Sequence, residues 1–208
     1  MQTRTIQWLD RSGKLVPLFA KPGVYRAPRF SPDGKRLALS AIDGGNEDIW
    51  VYDLERDAMT RLTFDPVSDD QPLWTPDGHW IAYGSDESGR PEVYVRSFPE
   101  PTGRWQISVN GGIMPRWAHS GREIFYRSGD SLISVAVTTR PAFTVGQRKV
   151  LFVRPYFGIA SHAQYDVSPN DRQFVMVREG SERPGLVLAL NWFEELRRRS
   201  SSGAPTSR

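Results

Sequence analysis

Three histidines, His79, His119 and His162, 24 acidic residues and a complete absence of cysteine set the chemistry open to this chain of 208 residues. Without thiolates there is neither a disulfide nor a sulfur-ligated metal. The histidines lie too far apart in sequence to form a short metal-binding motif. A nucleophile elbow requires Gly-x-Ser-x-Gly, and the run Gly84-Ser85-Asp86-Glu87-Ser88-Gly89 does not supply it. Walker, dinucleotide-binding and kinase catalytic motifs are also missing from these residues. Two acidic loops, Asp43 to Asp48 and Asp86 to Glu92, are rich in oxygen ligands but lack EF-hand spacing. Their Gly and Asn residues are those that hairpin turns need. The expectation is a chain with no catalytic residues, no metal and no cofactor.

The elements that would position any site repeat along the chain. Ala27 to Leu39, Gln71 to Tyr83, Met114 to Tyr126 and Gln164 to Met176 align with one another. Their apolar anchors, Phe30, Trp74, Trp117 and Val167, recur at intervals of 44, 43 and 50 positions. Each copy is followed by a second apolar run: Asp48 to Leu54, Glu92 to Phe98, Ser131 to Val137 and Leu186 to Asn191. Further short runs follow at Met59 to Thr63, Arg104 to Ser108 and Lys149 to Val153. The runs are rich in Val, Ile, Tyr, Trp and Phe, often alternating with polar residues, as strands do. Turns of the Ser31-Pro32-Asp33-Gly34 and Thr75-Pro76-Asp77-Gly78 type join the first two strands of a copy. Proline sets the second position, Asp bonds its own backbone and Gly takes the left-handed conformation. In the third copy, Ala118 to Gly121, only the glycine survives, and in the fourth Asp171 replaces it.

Four short strands in a unit of 40 to 50 residues are the signature of a β-propeller. The predicted fold is therefore all-β, with about four to five blades of four antiparallel strands, as a partial propeller or a small ring. Blades start near residues 27, 71, 114 and 164, and residues 5–19 form two strands of a partial N-terminal blade. These could instead complete the last blade and close the ring. Residues 1–193 make the propeller, with a short helix possible only over Trp192 to Arg199, and residues 194–208 a disordered basic, Ser-rich tail. Phe30, Trp74 and Trp117 should be equivalent and largely buried. Pro17, which donates no hydrogen bond, places Leu15 to Phe19 on a sheet edge. Segments entering the innermost strands ring the mouth of a propeller channel, which makes Tyr25, Arg26, Arg29, Asp69, Asp70, Arg116 and His162 the candidate binding residues. Aromatic, charged and amide groups together suit a protein or peptide partner.

Phe30-Ser31-Pro32-Asp33-Gly34 with its Leu-Ala-Leu strand, and Trp74-Thr75-Pro76-Asp77-Gly78 with its Ile-Ala-Tyr strand, resemble the TolB-like propeller repeat. The resemblance covers residues 5 to 193 and implies the fold, with a non-catalytic interaction or sensory role. Such repeats also occur beside prolyl-oligopeptidase domains and in bacterial serine/threonine kinases and winged-helix regulators. The ending Leu188 to Arg197 resembles the close of the propeller in those kinases and regulators. The alternative it implies is a C-terminal fragment of a larger kinase or oligopeptidase-type enzyme. An open ring of this kind would self-associate through exposed terminal blades.

Lys and Arg number 27 against 24 acidic residues, a formal net charge of +3. Such mixed charge steers polyanions weakly, and Arg197 to Arg199 form the one basic run, so no nucleic-acid partner is expected. No run of about 18 apolar residues is present, so no helix of this chain is expected to enter a membrane. An upstream membrane anchor would make the protein periplasmic or extracytoplasmic; without one it would be cytoplasmic.

Overall fold

The structure, a computed structural model, describes residues 4–100, 102–155, 164–177 and 187–189. The expected helix at Trp192 to Arg199, the tail over residues 194–208 and His162 lie outside the described residues. Within them every regular element is a strand. Each strand pairs antiparallel with its neighbour in sequence.

The first sheet holds β1 (Arg4–Leu9), β2 (Leu15–Phe30), β3 (Arg36–Asp43), β4 (Asn46–Asp53) and β5 (Ala58–Arg61) in that order. Two four-stranded sheets follow: β6 (Asp69–Trp74), β7 (Trp80–Ser85), β8 (Glu92–Ser97) and β9 (Arg104–Gln106), then β10 (Ile113–Trp117), β11 (Glu123–Ser128), β12 (Ser131–Thr138) and β13 (Thr144–Val153). The last sheet contains β14 (Tyr165–Val167), β15 (Phe174–Met176) and β16 (Val187–Ala189). These are successive propeller blades, with β2, β6, β10 and β14 as the first strands of the four repeats and β1 added outside the first. Among the described residues β1 pairs with β2 alone, and the ring-closing arrangement is absent. Among the described residues the Leu15–Phe19 part of β2 is paired in a ladder with β1 alone, with Pro17 opposite Gln7, so the proline does sit on an edge; from Val24 onward β2 pairs with β3.

Alternation within each strand builds the interblade cores. Ala38, Ile49 and Val51 face the second blade and meet Trp74, Ile81 and Tyr83. Leu37 and Leu39, on the other face of β3, pack with Tyr25 and Tyr52 under Ile6, Leu18 and Phe19 of the N-terminal hairpin. Val93, Val95 and Ile107 meet Trp117, Ile124 and Val135 between the second and third blades. Phe125 and Leu132 meet Tyr165, Val167 and Met176 between the third and fourth.

The turns carry the predicted geometry. Gly34, Gly78 and Gly121 have φ of 70°, 72° and 69°, and Asp171 follows them at 60°. Each donates its amide to the residue three before it, at 2.9 Å in every copy. The positive φ, rather than space, is what favours glycine here: a Cβ on Gly78 would stand 3.6 Å from Pro32, and one on Gly121 3.7 Å from Pro76, both ordinary contacts. In the fourth copy the side chain is present and used. The Asp171 carboxylate accepts the amides of His119 at 2.6 Å and Ser120 at 2.9 Å, and lies 3.1 Å from His119 Nδ1.

A second polar device recurs at the ends of the first two blades. Thr63 Oγ1 accepts the Ile49 amide at 2.9 Å and Ser108 Oγ accepts the Val93 amide at 2.7 Å. The same hydroxyls face the buried carboxylates of Asp48 and Glu92. Asp48 is further held by Arg61 at 2.5 Å. The two acidic loops are thus hairpins in which Glu47, Asp48, Glu87 and Glu92 are engaged by neighbouring side chains. Gly44 and Gly45, with φ of 75° and 116°, make the first turn.

One anchor departs from expectation. Trp74 and Trp117 are 6% and 7% exposed, but Phe30 is 49% exposed. Each tryptophan pushes into the blade before it and donates its indole N–H there, Trp74 to the Arg29 carbonyl at 3.0 Å and Trp117 to that of Leu73 at 3.2 Å. Phe30 has no such blade before it among the described residues. It stacks instead on half-exposed Trp8, with ring centroids 5.4 Å apart.

Candidate functional site

The inner strands share a distortion. Ala27, Gln71 and Met114 occupy the same place in three successive blades and all have positive φ, 47°, 54° and 57°. Each precedes a proline, and at each the pairing with the second strand slips: between Arg26 and Arg29, Asp70 and Leu73, Ile113 and Arg116. A non-glycine residue held there costs on the order of 1–3 kcal/mol, and such bulges re-aim side chains. Here they turn the flanking side chains toward the propeller axis. The tryptophan hydrogen bonds clamp the carbonyls of Arg29 and Leu73 at the far end of the first two bulges, so blade packing fixes the distorted segments.

The result is a cavity of about 900 Å³ walled by inner strands. Tyr25, Arg26, Arg29, Asp70 and Arg116, five of the seven predicted residues, line it. They lie within β2, β6 and β10 and form the channel wall, where loops at the mouth were expected. Asp69 does not line it. Strand alternation turns it the other way, and it is fully buried near the Thr63 and Ser85 hydroxyls. Arg4, Ser40, Glu47 and Leu73 also line the cavity and were not singled out from sequence. Leu73 could have been found, because it occupies the repeat position of Arg29 and Arg116.

The charges are arranged in layers. Arg26 is ion-paired with Glu47, whose other oxygen accepts the Ser40 hydroxyl at 2.6 Å. Asp70 accepts from the Gln71 amide at 3.3 Å. Its carboxylate occupies space that a side chain at Gly84 would claim, since a Cβ there would stand 2.7 Å from Asp70 Oδ1. Burial pushes the Asp70 carboxyl up to about 6, with nearby Glu47 adding to the rise. Asp69, also through burial, is pushed up to about 6. Beyond these, the Arg29 and Arg116 guanidiniums each donate to the carbonyl of the preceding proline at 3.0 Å. Arg116 is held below the usual arginine range by burial, and Arg29 acts on it as a like charge. Its carboxylate neighbour, the largely exposed Asp166, stands at 3.7 Å, and its guanidinium lies over the Tyr165 ring at 5.9 Å.

The cavity offers charge, hydrogen bonds and apolar wall. No histidine lines it, and its one serine is engaged by Glu47. Among the described residues no group of three or more His, Cys, Asp or Glu side chains is placed to hold a metal ion. Nor is any helix there long and apolar enough to cross a membrane.

Residues 6–190 match the model of a family described as the TolB beta propeller domain. An uncharacterised protein of Agrobacterium fabrum is 31% identical over 103 residues, which cover 49% of this chain and 35% of that protein. The Tol-Pal system protein TolB of Francisella tularensis subsp. mediasiatica is 28% identical over 128 residues, 59% of this chain and 29% of its own length. The chain thus spans about a third of the length of these relatives. A crystal structure of TolB from Acinetobacter baumannii superposes with a TM-score of 0.66 at 23% identity, covering 86% of this chain and 43% of that one.

Proposed function

The chain belongs to the TolB beta propeller domain family, and from that premise we propose that it is a non-catalytic interaction module that receives a protein or peptide segment in the cavity walled by its inner strands. The observation that carries this reading is the shared bulge. Three blades retain a strained residue before proline, and the side chains it re-aims converge on one cavity. Strain that a strand could shed by a glycine is commonly kept where a site needs it. The lining supports recognition better than turnover. Its acids are paired or shielded, no histidine lines it, and its one serine donates to Glu47, a carboxylate already ion-paired with Arg26. The alternative, a piece of a serine/threonine kinase or an oligopeptidase-type protein, gains no support from the relatives named above.

Random heptapeptides selected on the immobilised chain test the proposal. Binders should be recovered from the wild type and should lose most of their affinity for Leu73→Trp, which adds bulk to the cavity lining without altering charge, the fold being checked by circular dichroism because Leu73 also packs against the core between the second and third blades. Binders that hold Leu73→Trp as tightly as the wild type would place recognition elsewhere and end the reading.

A further inference from the structure

We propose that the cavity selects its ligand by a carboxylate, an acidic side chain of the incoming peptide that docks between Arg29 and Arg116. This rests on the peptide reading above and adds the chemistry of recognition. The two arginines occupy one repeat position in the first and third blades, with Leu73 at that position in the blade between them. Each guanidinium is oriented by the same bond to its preceding proline carbonyl, 3.0 Å in both copies, so the pair is set before a ligand arrives. Of the other charges of the wall, Arg26 is matched by Glu47 and Glu47 again by Ser40, while Arg4 and Asp70 line the cavity without an ion pair among the described residues. Arg29 has no carboxylate partner among the described residues, and Arg116 has only Asp166, at 3.7 Å and largely exposed. Two like charges share one cavity wall, one of them substantially desolvated. An anion between them relieves that repulsion and finds donors in fork geometry. Leu73 and the ring of Pro28 offer apolar surface to the methylenes that carry a side-chain carboxylate. A monoanion suits the site better than a dianionic phosphate, because Asp70 and Glu47 stand on the same wall.

The heptapeptide selection, sequenced, reads this directly. Acidic residues should be enriched at a fixed position among wild-type binders, and the enrichment should vanish on Arg29→Gln/Arg116→Gln. A winning peptide should lose about tenfold in affinity when its acid is changed to the amide. The same peptide should lose a similar factor on the single variant Arg29→Gln, whose exposed site leaves the fold intact by circular dichroism. Binders that depend on the cavity but show no acidic preference would overturn the carboxylate while leaving the peptide reading standing. Acidic preference that persists on the double variant would move the contact elsewhere. If inorganic phosphate at equal ionic strength displaces the peptide more strongly than acetate does, the site is built for phosphate and the proposal falls. Recovery of no binder removes both readings.

Discussion

Adjacent carboxylates, Asp69 and Asp70, point to opposite sides of one strand and meet different fates. Asp70 faces the cavity, where cationic neighbours and solvent reach it. Asp69 is fully buried, with the Thr63 and Ser85 hydroxyls as its polar neighbours. Burial raises its carboxyl from the ordinary 3.8 to about 6. The folded state therefore holds this proton more tightly than the unfolded chain does. The stabilisation from that preference is complete below about pH 4 and is lost as pH rises through 6, with Asp70 acting in the same direction. Asp69→Asn keeps the shape and removes the charge. It should raise the urea midpoint at pH 7.5, corresponding to roughly 1–3 kcal/mol, and the gain should shrink by pH 5. A variant that is equally destabilised at both values would show that the carboxylate is wanted for itself.

Blades hold one another through their anchors, and the anchors are not equal. Trp74→Ala empties a buried site and orphans the Arg29 carbonyl, so a loss of about 3–5 kcal/mol in urea titration is expected. Phe30→Ala, at the same repeat position but half exposed, should cost about 1 kcal/mol. Equal losses would contradict the packing described here. The pair also shows how far sequence carries. Strand runs, turn glycines and blade order were legible, because alternation and Pro-Asp-Gly chemistry are local. That five of the seven candidate residues line one cavity followed from knowing which strand is innermost. Burial of the anchor was not legible, because it depends on the neighbouring blade, and the repeat makes Phe30 and Trp74 look alike. The bulges escaped for a different reason. Ala27, Gln71 and Met114 carry side chains that normally avoid positive φ, and only the recurring proline after each marks them. Asp69 was misplaced because a single step in register exchanges core for channel.

For the molecule as a whole, the N-terminal hairpin serves as a cover. Ile6, Leu18 and Phe19 close over Leu37, Leu39 and Tyr52, which would otherwise form an open apolar sheet face. Deleting residues 1–20 should lower the urea midpoint and increase binding of a hydrophobic dye, with the first blade losing amide-exchange protection before the second and third. Unchanged protection would mean that the hairpin is ornamental. At the other end of the array, the Asp171 carboxylate reaches across to the His119 and Ser120 amides. In the better-kept copies an aspartate within the same turn caps a following amide, as Asp33 and Asp77 do at 3.1 Å each. The third turn has lost its own aspartate, and the fourth has put one where glycine belonged. Two apparent defects are therefore one interlock. The last two copies are no longer interchangeable parts: a gene rearrangement that separated them would keep the blade shape and the apolar contacts but lose this interlock.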